Sequence, residues 1–190
     1  MNSTHGARTS HRDTLLDALQ SIIMESGVQE VTLDSVAARA GVTKGGLIYH
    51  FKSKEALLLA LTERLRAQVD AYCVDPQENP QDSVRKFLIA RINYAFNMNA
   101  QEKKLMANLL MATGSYPSLL GPVKSMYDAG TGELALMEDS AGLALSVWTA
   151  LDGFVLLEML NIRHFSALEK QQMQAALITL VEQQLTRPRD

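Results

Sequence analysis

The spacing of apolar residues along the chain predicts helices throughout. Between Ser10 and Gly27 apolar side chains recur three and four residues apart, which is the period of a helix with one buried face. The same spacing returns over about 33–40, 44–50 and 54–72. No segment alternates strictly between apolar and polar residues, as a half-buried strand would. The pattern therefore predicts an all-α protein.

Residues suited to helix ends divide the first part of the chain. N-terminal caps are available at Thr9 or Ser10, and at Thr32, Thr43 and Ser53, and glycines suited to C-terminal positions stand at 27 and 41. The second and third predicted helices are only one to two turns long and are joined through Gly41 and Val42. Such a pair has the geometry of a helix-turn-helix, in which Leu47 and Phe51 would return to the core.

The rest of the chain predicts a helical bundle. Candidate helices cover about 81–98, 102–113, 141–164 and 166–185, and prolines and glycines make 117–138 a broken region. The segment 141–164 is apolar on more than one face, so we expect it to be buried on more than one side. The fold class is therefore an N-terminal three-helix head followed by a C-terminal helical bundle.

Charge is distributed unevenly along the 190 residues. The net charge of the chain is -3, yet residues 35–54 carry Arg39, Lys44, Lys52 and Lys54 and no acidic residue. A near-neutral protein with one basic surface is expected to bind nucleic acid through that surface only. The basic helix-turn-helix therefore predicts docking on double-stranded DNA.

The segment VTLDSVAARAGVTKGGLIYHFKSKEALLLAL resembles the DNA-binding domain of the TetR family of bacterial transcriptional repressors. The resemblance covers about Thr9–Leu61 and rests on the AGV turn, TKG before LIYHF, and KSKEAL in that order. It implies a flexible N-terminus at 1–9, a DNA-binding domain at 10–53 and an effector-binding and dimerisation domain at 54–190. It also implies a homodimer on a near-palindromic operator, which a small molecule releases from the DNA.

The candidate DNA-binding residues lie at the starts of the short helices and at the end of the third. They are Thr32, Thr43, Lys44, Gly45, Gly46, Tyr49, His50 and Lys54. Most of these groups suit phosphate contacts, which set register and affinity and carry no base readout. Gly45, Gly46 and Ile48 leave few base-reading side chains, so specificity is expected to depend on Thr43, Lys44 and DNA shape. As alternatives, Thr43 is a simple cap and Tyr49 a core residue.

The bundle contains many bulky, adaptable side chains that suit an apolar pocket. Candidate effector-binding residues are Arg91, Tyr94, Met98, Met106, Met111, Met126, Tyr127, Trp148 and Asp152. The alternative is that these side chains form an ordinary core, and that the polar ones satisfy internal hydrogen bonds. The effector is expected to be small and largely apolar. No cofactor and no metal are expected.

The last two helices have a broad apolar surface and are the predicted dimer interface. Effector binding is expected to displace the fourth helix, which continues from the head, and to change the separation of the two recognition helices. The competing function is a transcriptional activator or an architectural DNA binder without an effector.

Other classes of protein are disfavoured. The sequence has no GxSxG motif, no metal-spaced ligand cluster and no glycine-rich loop after a strand, so an enzyme is not expected. Cys73 is the single cysteine, which excludes an intramolecular disulfide. The polar N-terminus lacks the apolar run of a secretory signal, and Asp152 and Glu158 interrupt the most apolar stretch. A cytoplasmic protein without a membrane span is therefore expected.

Overall fold

A computed structural model describes residues 10–73, 80–135 and 141–185. These residues form nine α-helices, with short 3-10 turns at Val28–Glu30 and Pro117–Leu119. The helices are α1 His11–Ser26, α2 Leu33–Ala40, α3 Lys44–His50, α4 Lys54–Cys73, α5 Pro80–Asn97, α6 Ala100–Ala112, α7 Leu120–Ala135, α8 Ala141–Met159 and α9 Ala167–Leu185. The predicted all-α class is confirmed. The expected flexible segment 1–9 and residues 136–138 of the predicted broken region lie outside the described residues.

Contacts divide the chain into two compact units. The first unit runs to Glu63 and includes Asn108–Leu119, and the second contains Arg64–Ala107 and the residues from Leu120 onward. Helices α4 and α6 each contribute residues to both units. The expected boundaries at 10–53 and 54–190 remain a prediction.

The first unit is built on leucine and isoleucine side chains that are buried at helical spacing. Residues of α1, α3 and α4 that are at most 1% exposed include Leu15, Leu16, Leu19, Ile23, Leu47, Leu57, Leu58 and Leu61. Full burial of one such side chain contributes about 1.5–3 kcal/mol, whereas isolated helices as short as α2 and α3 are unstable in water. Packing therefore holds the two short helices in place.

The second unit has its own core, formed largely by α5 and α8. Its buried residues are Val84, Leu88, Ile92, Ala95, Ala144, Val147, Trp148, Leu151, Phe154 and Val181. Phe96 stacks on Phe154 with ring centroids 4.2 Å apart, and the ring centroid of Phe165 lies 5.4 Å from that of Phe154. These contacts join α5 and α8 to the connection that leads into α9.

The predicted broken region is wrong over residues 120–135, which form the continuous helix α7. Pro122 lies in the first turn, where the missing N–H removes no helical hydrogen bond. Gly130 lies against Trp148, and a Cβ atom at position 130 would overlap with the indole ring. The glycine that lowered helix propensity in the sequence is therefore needed for packing.

The expected end of α8 at about 164 is also wrong. Helix α8 stops at Met159, and Asn161 adopts a left-handed conformation with φ 55°. The N–H of Ile162 donates to the carbonyl of Leu157 at 2.9 Å, which closes the helix end. Asparagine tolerates this conformation better than most residues, so the chain turns here toward α9.

Helix α8 alone among the described helices is long and apolar enough to cross a membrane, judged by length and composition. Seven of its side chains are buried against protein, including Trp148 and Phe154. Core helices of soluble proteins meet the same criteria of length and composition, so this feature is weak evidence for a membrane span.

Candidate functional site

Capping and one left-handed glycine position α2 and α3. Thr32 and Ser35 form a reciprocal capping box, in which each side chain accepts a hydrogen bond from the other residue's N–H at 2.9 Å. Gly41 ends α2 with φ 68°, a conformation that costs other residues 1–2 kcal/mol or so. The predicted bounds of both short helices are confirmed.

One face of α3 is buried and the opposite face is exposed. Leu47 is 0% and Phe51 is 4% exposed, so both belong to the core as predicted. Thr43 caps the helix by accepting a hydrogen bond from the N–H of Gly46 at 3.1 Å. The predicted DNA-binding residues from 43 to 46 are all exposed, as are positions 49 and 50. Helix α3 therefore presents a polar surface to solvent, while Leu47 and Phe51 hold its opposite face in the core.

Tyr49 and His50 project together from the end of α3. Tyr49 is 80% exposed, and its ring meets that of His50 edge to face with centroids 5.2 Å apart. The alternative in which Tyr49 belongs to the core is wrong. An exposed aromatic ring with a hydroxyl at its tip combines apolar surface with a hydrogen-bond donor.

The cations of the basic segment differ in their partners. Arg39 donates to Ser21 and to both carboxylate oxygens of Glu25 at 2.7 Å, so it fastens α2 to α1. Side-chain hydrogen bonds from Arg39 and Ser21 lower the pKa of Glu25 to about 2. Lys44 donates to Asp34 at 2.9 Å on an exposed surface. Lys44 is thus available to another anion, whereas Arg39 is engaged in the fold.

Lys54 differs from the other candidate DNA-binding residues because it is half-buried. Its Nζ donates to the carbonyl oxygen of Gln29 at 3.3 Å, and burial lowers the pKa of its ammonium group. Its neighbour Ser53 caps α4 by accepting from the N–H of Ala56 at 3.1 Å. Lys54 therefore ties the start of α4 to the segment between α1 and α2.

In the second unit, several predicted effector-binding residues meet in one cluster. We call it the Arg91 cluster; its members are Arg91, Met126, Tyr127, Trp148 and Asp152. The guanidinium of Arg91 lies 5.1 Å from the ring centroid of Trp148 and 3.8 Å from an oxygen of Asp152. Tyr127 donates a short hydrogen bond to Asp152, and its ring lies 5.3 Å from that of Trp148. The cluster brings together α5, α7 and α8.

Burial dominates the acid–base properties of this cluster. It raises the pKa of Asp152, although Tyr127 and Arg91 act in the opposite direction. It also raises the pKa of Tyr127, and the hydrogen bond to Asp152 adds to that effect. The neutral phenol and the partly buried carboxylate together form a polar centre among aromatic rings.

The remaining predicted effector-binding residues are spread more widely. Tyr94 packs against Tyr72 with ring centroids 5.5 Å apart, and burial raises the pKa of its hydroxyl. Met98 is buried and Met106 half-buried, whereas Met111 is 67% exposed and belongs to the first unit. The structure thus brings five of the nine candidates together and leaves these four outside the cluster.

The partners of Glu158 were not predicted from the sequence. This carboxylate is buried and accepts hydrogen bonds from Lys103, from Lys170 at 2.8 Å and from the N–H of Phe165 at 3.1 Å. Burial alone would raise the pKa of Glu158, but these hydrogen bonds outweigh it and lower the pKa to about 2. The sequence did mark Glu158 itself, because it is an acidic residue within the most apolar helix. Among the described residues, no group of three histidine, cysteine or acidic side chains could hold a metal ion.

The fold and its exposed polar helix define a class of protein: a helix-turn-helix DNA-binding regulator with a helical C-terminal part. Residues 15–61 match the family model described as bacterial regulatory proteins, tetR family, and residues 85–182 match the tetracyclin repressor-like C-terminal domain. The chain belongs to the TetR family.

Individual relatives agree with this assignment. The transcriptional repressor BepR of Brucella suis is 25% identical over 140 residues, which span 73% of this chain and 61% of BepR. The first three curated relatives are matched over only 24% to 61% of their own length. Among solved structures, a transcriptional regulator from Rhodococcus sp. Rha1 superposes with a TM-score of 0.65 at 18% identity, covering 92% of this chain and 95% of that one.

The multidrug binding protein EbrR complexed with ethidium gives a TM-score of 0.64 at 21% identity and covers 90% of this chain and 98% of EbrR. At such identities the structural likeness shows the fold alone. TetR-family regulators are soluble, non-enzymatic proteins that bind DNA operators and small-molecule ligands, typically as dimers. The family assignment confirms the resemblance to the TetR family that the sequence predicted.

Proposed function

We propose that this chain is a cytoplasmic repressor that binds a near-palindromic operator as a homodimer and leaves it when a small molecule binds the second unit. The observation that carries the DNA-binding part is the exposed polar face of α3 above the buried Leu47 and Phe51. A short helix anchored on one side and bare on the other suits insertion into a major groove. We call α3 the recognition helix.

Phosphate contacts are assigned to Thr32, Thr43, Lys44, Tyr49 and His50. The cap oxygens of Thr32 and Thr43 accept backbone N–H groups, which leaves each hydroxyl hydrogen able to donate to a phosphate. Lys44 can exchange Asp34 for a phosphate, and Tyr49 reaches solvent with 80% of its surface. Lys54 is also assigned to this set, although reaching a phosphate would require it to leave the Gln29 carbonyl.

Base readout depends on few side chains. Gly45 and Gly46 carry none, so Thr43 and Lys44 are the polar groups at the start of the recognition helix. Sequence preference would then come from these two groups, from apolar contact with thymine methyls and from the shape of the DNA. Gly45 and Gly46 let the backbone approach the floor of the groove closely.

The effector site is assigned to the Arg91 cluster, with Tyr94, Met98 and Met106 as further candidates. Supporting this assignment, the cluster combines aromatic rings with a few convergent polar groups, as ligand sites do. Met111 remains a candidate as well, and its 67% exposure makes it the weakest of the set.

The dimer interface is assigned to α8 and α9. The exposed positions of α8 include a row with heptad-like spacing, which consists of Gly142, Leu145, Ser146, Thr149, Gly153 and Leu156, and Leu160 continues it one residue beyond the helix end. Small residues in such a row allow a second helix to approach closely, and the leucines supply apolar area. Leu180 of α9 is 38% exposed and extends the apolar surface. Pairing with a second copy would form a four-helix bundle.

Helix α4 is the proposed link between effector and DNA, because Lys54–Glu63 belongs to the first unit and Arg64–Cys73 to the second. An effector shifts the DNA-bound population only through its different affinity for the two states. On this proposal the domain boundary lies after residue 53, at the start of α4.

DNase footprinting on the region upstream of the chain's own gene tests the proposal. We expect a symmetric protected region whose half-sites lie about 34–36 Å apart or a multiple of that distance. Compounds that release the protein should abolish the footprint at concentrations that do not unfold it. An asymmetric footprint bound by a monomer, or a footprint that strengthens with every binding compound, would contradict the repressor model.

A further inference from the structure

The guanidinium of Arg91 makes few close polar contacts for a side chain that is only slightly exposed. Its side chain is 12% exposed, and an arginine carries five N–H donors. Within the described residues its polar contacts are Met126 Sδ at 3.8 Å and Asp152 Oδ1 at 3.8 Å. Sulfur is a weak acceptor and 3.8 Å is too long for a hydrogen bond to oxygen. Arg91 therefore has donors without a protein acceptor, and because none of its nitrogens belongs to the fully buried atoms that lack a partner, those donors can be reached from solvent.

Asp152 does not supply the hydrogen-bond acceptors that Arg91 lacks, because it has another partner. One of its oxygens accepts the hydroxyl of Tyr127 in a short hydrogen bond. Its side chain is 29% exposed, so the carboxylate retains some access to water. Asp152 consequently supplies counter-charge to Arg91 at a distance without saturating its donors.

The surroundings of Arg91 are mostly apolar. Its guanidinium lies above the ring of Trp148, which is 3% exposed, and Phe87 packs on the same indole with centroids 5.6 Å apart. Tyr127 lies beside that indole as well. A ligand group that reached Arg91 would be flanked by aromatic rings, while its polar end met the guanidinium.

We propose that the effector of this protein is a monocarboxylate with an aromatic or aliphatic body, whose carboxylate binds Arg91 while its body packs against Trp148 and Tyr127. This inference rests on the proposed function, because it names the chemical class of the effector. A carboxylate matches the forked geometry of a guanidinium and can accept two of its N–H groups at once.

The balance of donors and charges favours an anionic ligand over a cationic one. A cation would have to compete with Arg91 itself for Asp152, at the cost of placing two positive groups side by side. A carboxylate instead supplies the acceptors that Arg91 lacks. A single guanidinium offset by Asp152 suits one negative charge better than two, because buried excess charge is costly.

Trp148 is the only tryptophan in the sequence, so intrinsic fluorescence reports directly on this cluster. Full-length protein is titrated with phenylbutyrate, phenylbutyramide and phenylbutylamine, which differ only in the polar end. We expect saturable changes in Trp148 fluorescence with the acid at concentrations roughly ten-fold or more below those needed for the amide. The amine should bind no better than the amide.

Two substitutions separate the charge of Arg91 from its packing. Arg91→Met keeps an unbranched apolar stem and should weaken phenylbutyrate binding to the level of the amide. Arg66→Met removes an arginine that is paired with Asp70 within α4, outside the Arg91 cluster, and should leave binding unchanged. Asp152→Asn preserves an acceptor for Tyr127 and removes the competing negative charge, so the acid should bind more tightly. Circular dichroism confirms that each variant is folded.

Several results would overturn the inference: no saturable response to phenylbutyrate, tighter binding of the amine, or equal affinity in folded Arg91→Met. The proposed function is tested separately, by measuring the release of DNA from the protein on the footprinted fragment. Acid binding at Arg91 without DNA release would uphold the ligand class and reject the effector role. DNA release by compounds that bind folded Arg91→Met as tightly as the wild type would uphold the proposed function and reject the ligand class.

Discussion

Lys44 Nζ donates to Asp34 Oδ2 at 2.9 Å, which joins the first residue of the recognition helix to the second residue of α2. Both side chains are more than half exposed, so the pair adds little to the stability of the free protein. In the proposed complex the same carboxylate would face DNA phosphates and repel them. The pair therefore bears on DNA affinity more than on folding.

Replacement of Asp34 by asparagine should strengthen DNA binding. Asp34→Asn releases Lys44 and removes the repulsion, and we expect about two- to five-fold tighter binding at low salt, measured by fluorescence anisotropy. Glu63→Gln, which removes an exposed acid elsewhere in the first unit, serves as the control. If Asp34→Asn binds no better than Glu63→Gln, Lys44 does not approach a phosphate near Asp34.

Removal of Lys44 should have the opposite effect. Lys44→Ala takes away one phosphate-binding cation per subunit, so the slope of log affinity against log salt should become shallower by about 0.9 for each phosphate that is no longer neutralised. Tyr49→Phe, which removes only the exposed hydroxyl, should weaken binding without changing that slope. An unchanged affinity in Lys44→Ala would count against the docking of the recognition helix.

The proposed dimer interface predicts a monomer when a charge is placed in the exposed row of α8. Leu156 is 41% exposed, and Leu156→Asp should yield a folded protein with weakened operator binding. Light scattering should show a monomer, and fluorescence anisotropy should show the loss of DNA affinity. The matched control is Val123→Asp, at an apolar position of α7 that is 37% exposed. A dimeric Leu156→Asp protein would move the interface away from this face.

Gly130 offers a test of the packing around Trp148. Gly130→Ala should destabilise the protein by roughly 1–3 kcal/mol, because the added methyl group overlaps with the indole ring. The better helix propensity of alanine offsets about 1 kcal/mol of this cost. Gly114→Ala, whose Cβ would lie at an ordinary 3.8 Å from the Met111 carbonyl, should be tolerated. Thermal unfolding followed by Trp148 fluorescence measures both.

The buried Glu158 predicts a specific dependence of stability on pH. Its pKa falls from 4.5 in the unfolded chain to about 2 in the folded one, so its contribution is present above pH 4.5 and is lost as the pH falls toward 2. The shift corresponds to at most about 3 kcal/mol.

Chemical denaturation of wild type and Glu158→Gln at several pH values checks this dependence. Their difference in unfolding free energy should narrow as the pH falls from about 4.5 to about 2. A difference that stays constant over this range would show that the carboxylate charge is not responsible.

The first half of the fold was predictable in detail because its signals are local. Thr32, Gly41 and Thr43 mark helix ends through their own backbone and side-chain chemistry, and the bounds of α2 and α3 follow from them. Gly130 shows why the continuous helix α7 could not be predicted from the sequence. Its effect depends on Trp148, which comes from a different helix, and local propensity carries no information about that neighbour.

The candidate sites show the same division. The exposure of Tyr49 follows from helical periodicity once Leu47 and Phe51 are placed in the core. The convergence of Arg91, Tyr127 and Asp152 depends instead on how α5, α7 and α8 pack, so the sequence could name these residues but not separate them from Met111. Glu158 stood out as an acid in an apolar helix, yet its partners on α6 and α9 could not be paired with it from spacing.

The two glycines of the recognition helix also bear on how this regulator could acquire a new operator. A Cβ at position 45 would have Thr43 Oγ1 as its nearest neighbour at 4.0 Å, so a side chain could be added there without rearrangement. At position 46 the same oxygen would be 3.3 Å away, and a side chain would press on the helix cap. On the proposed docking of the recognition helix, a single substitution at Gly45 would therefore alter the DNA preference without disturbing the helix cap.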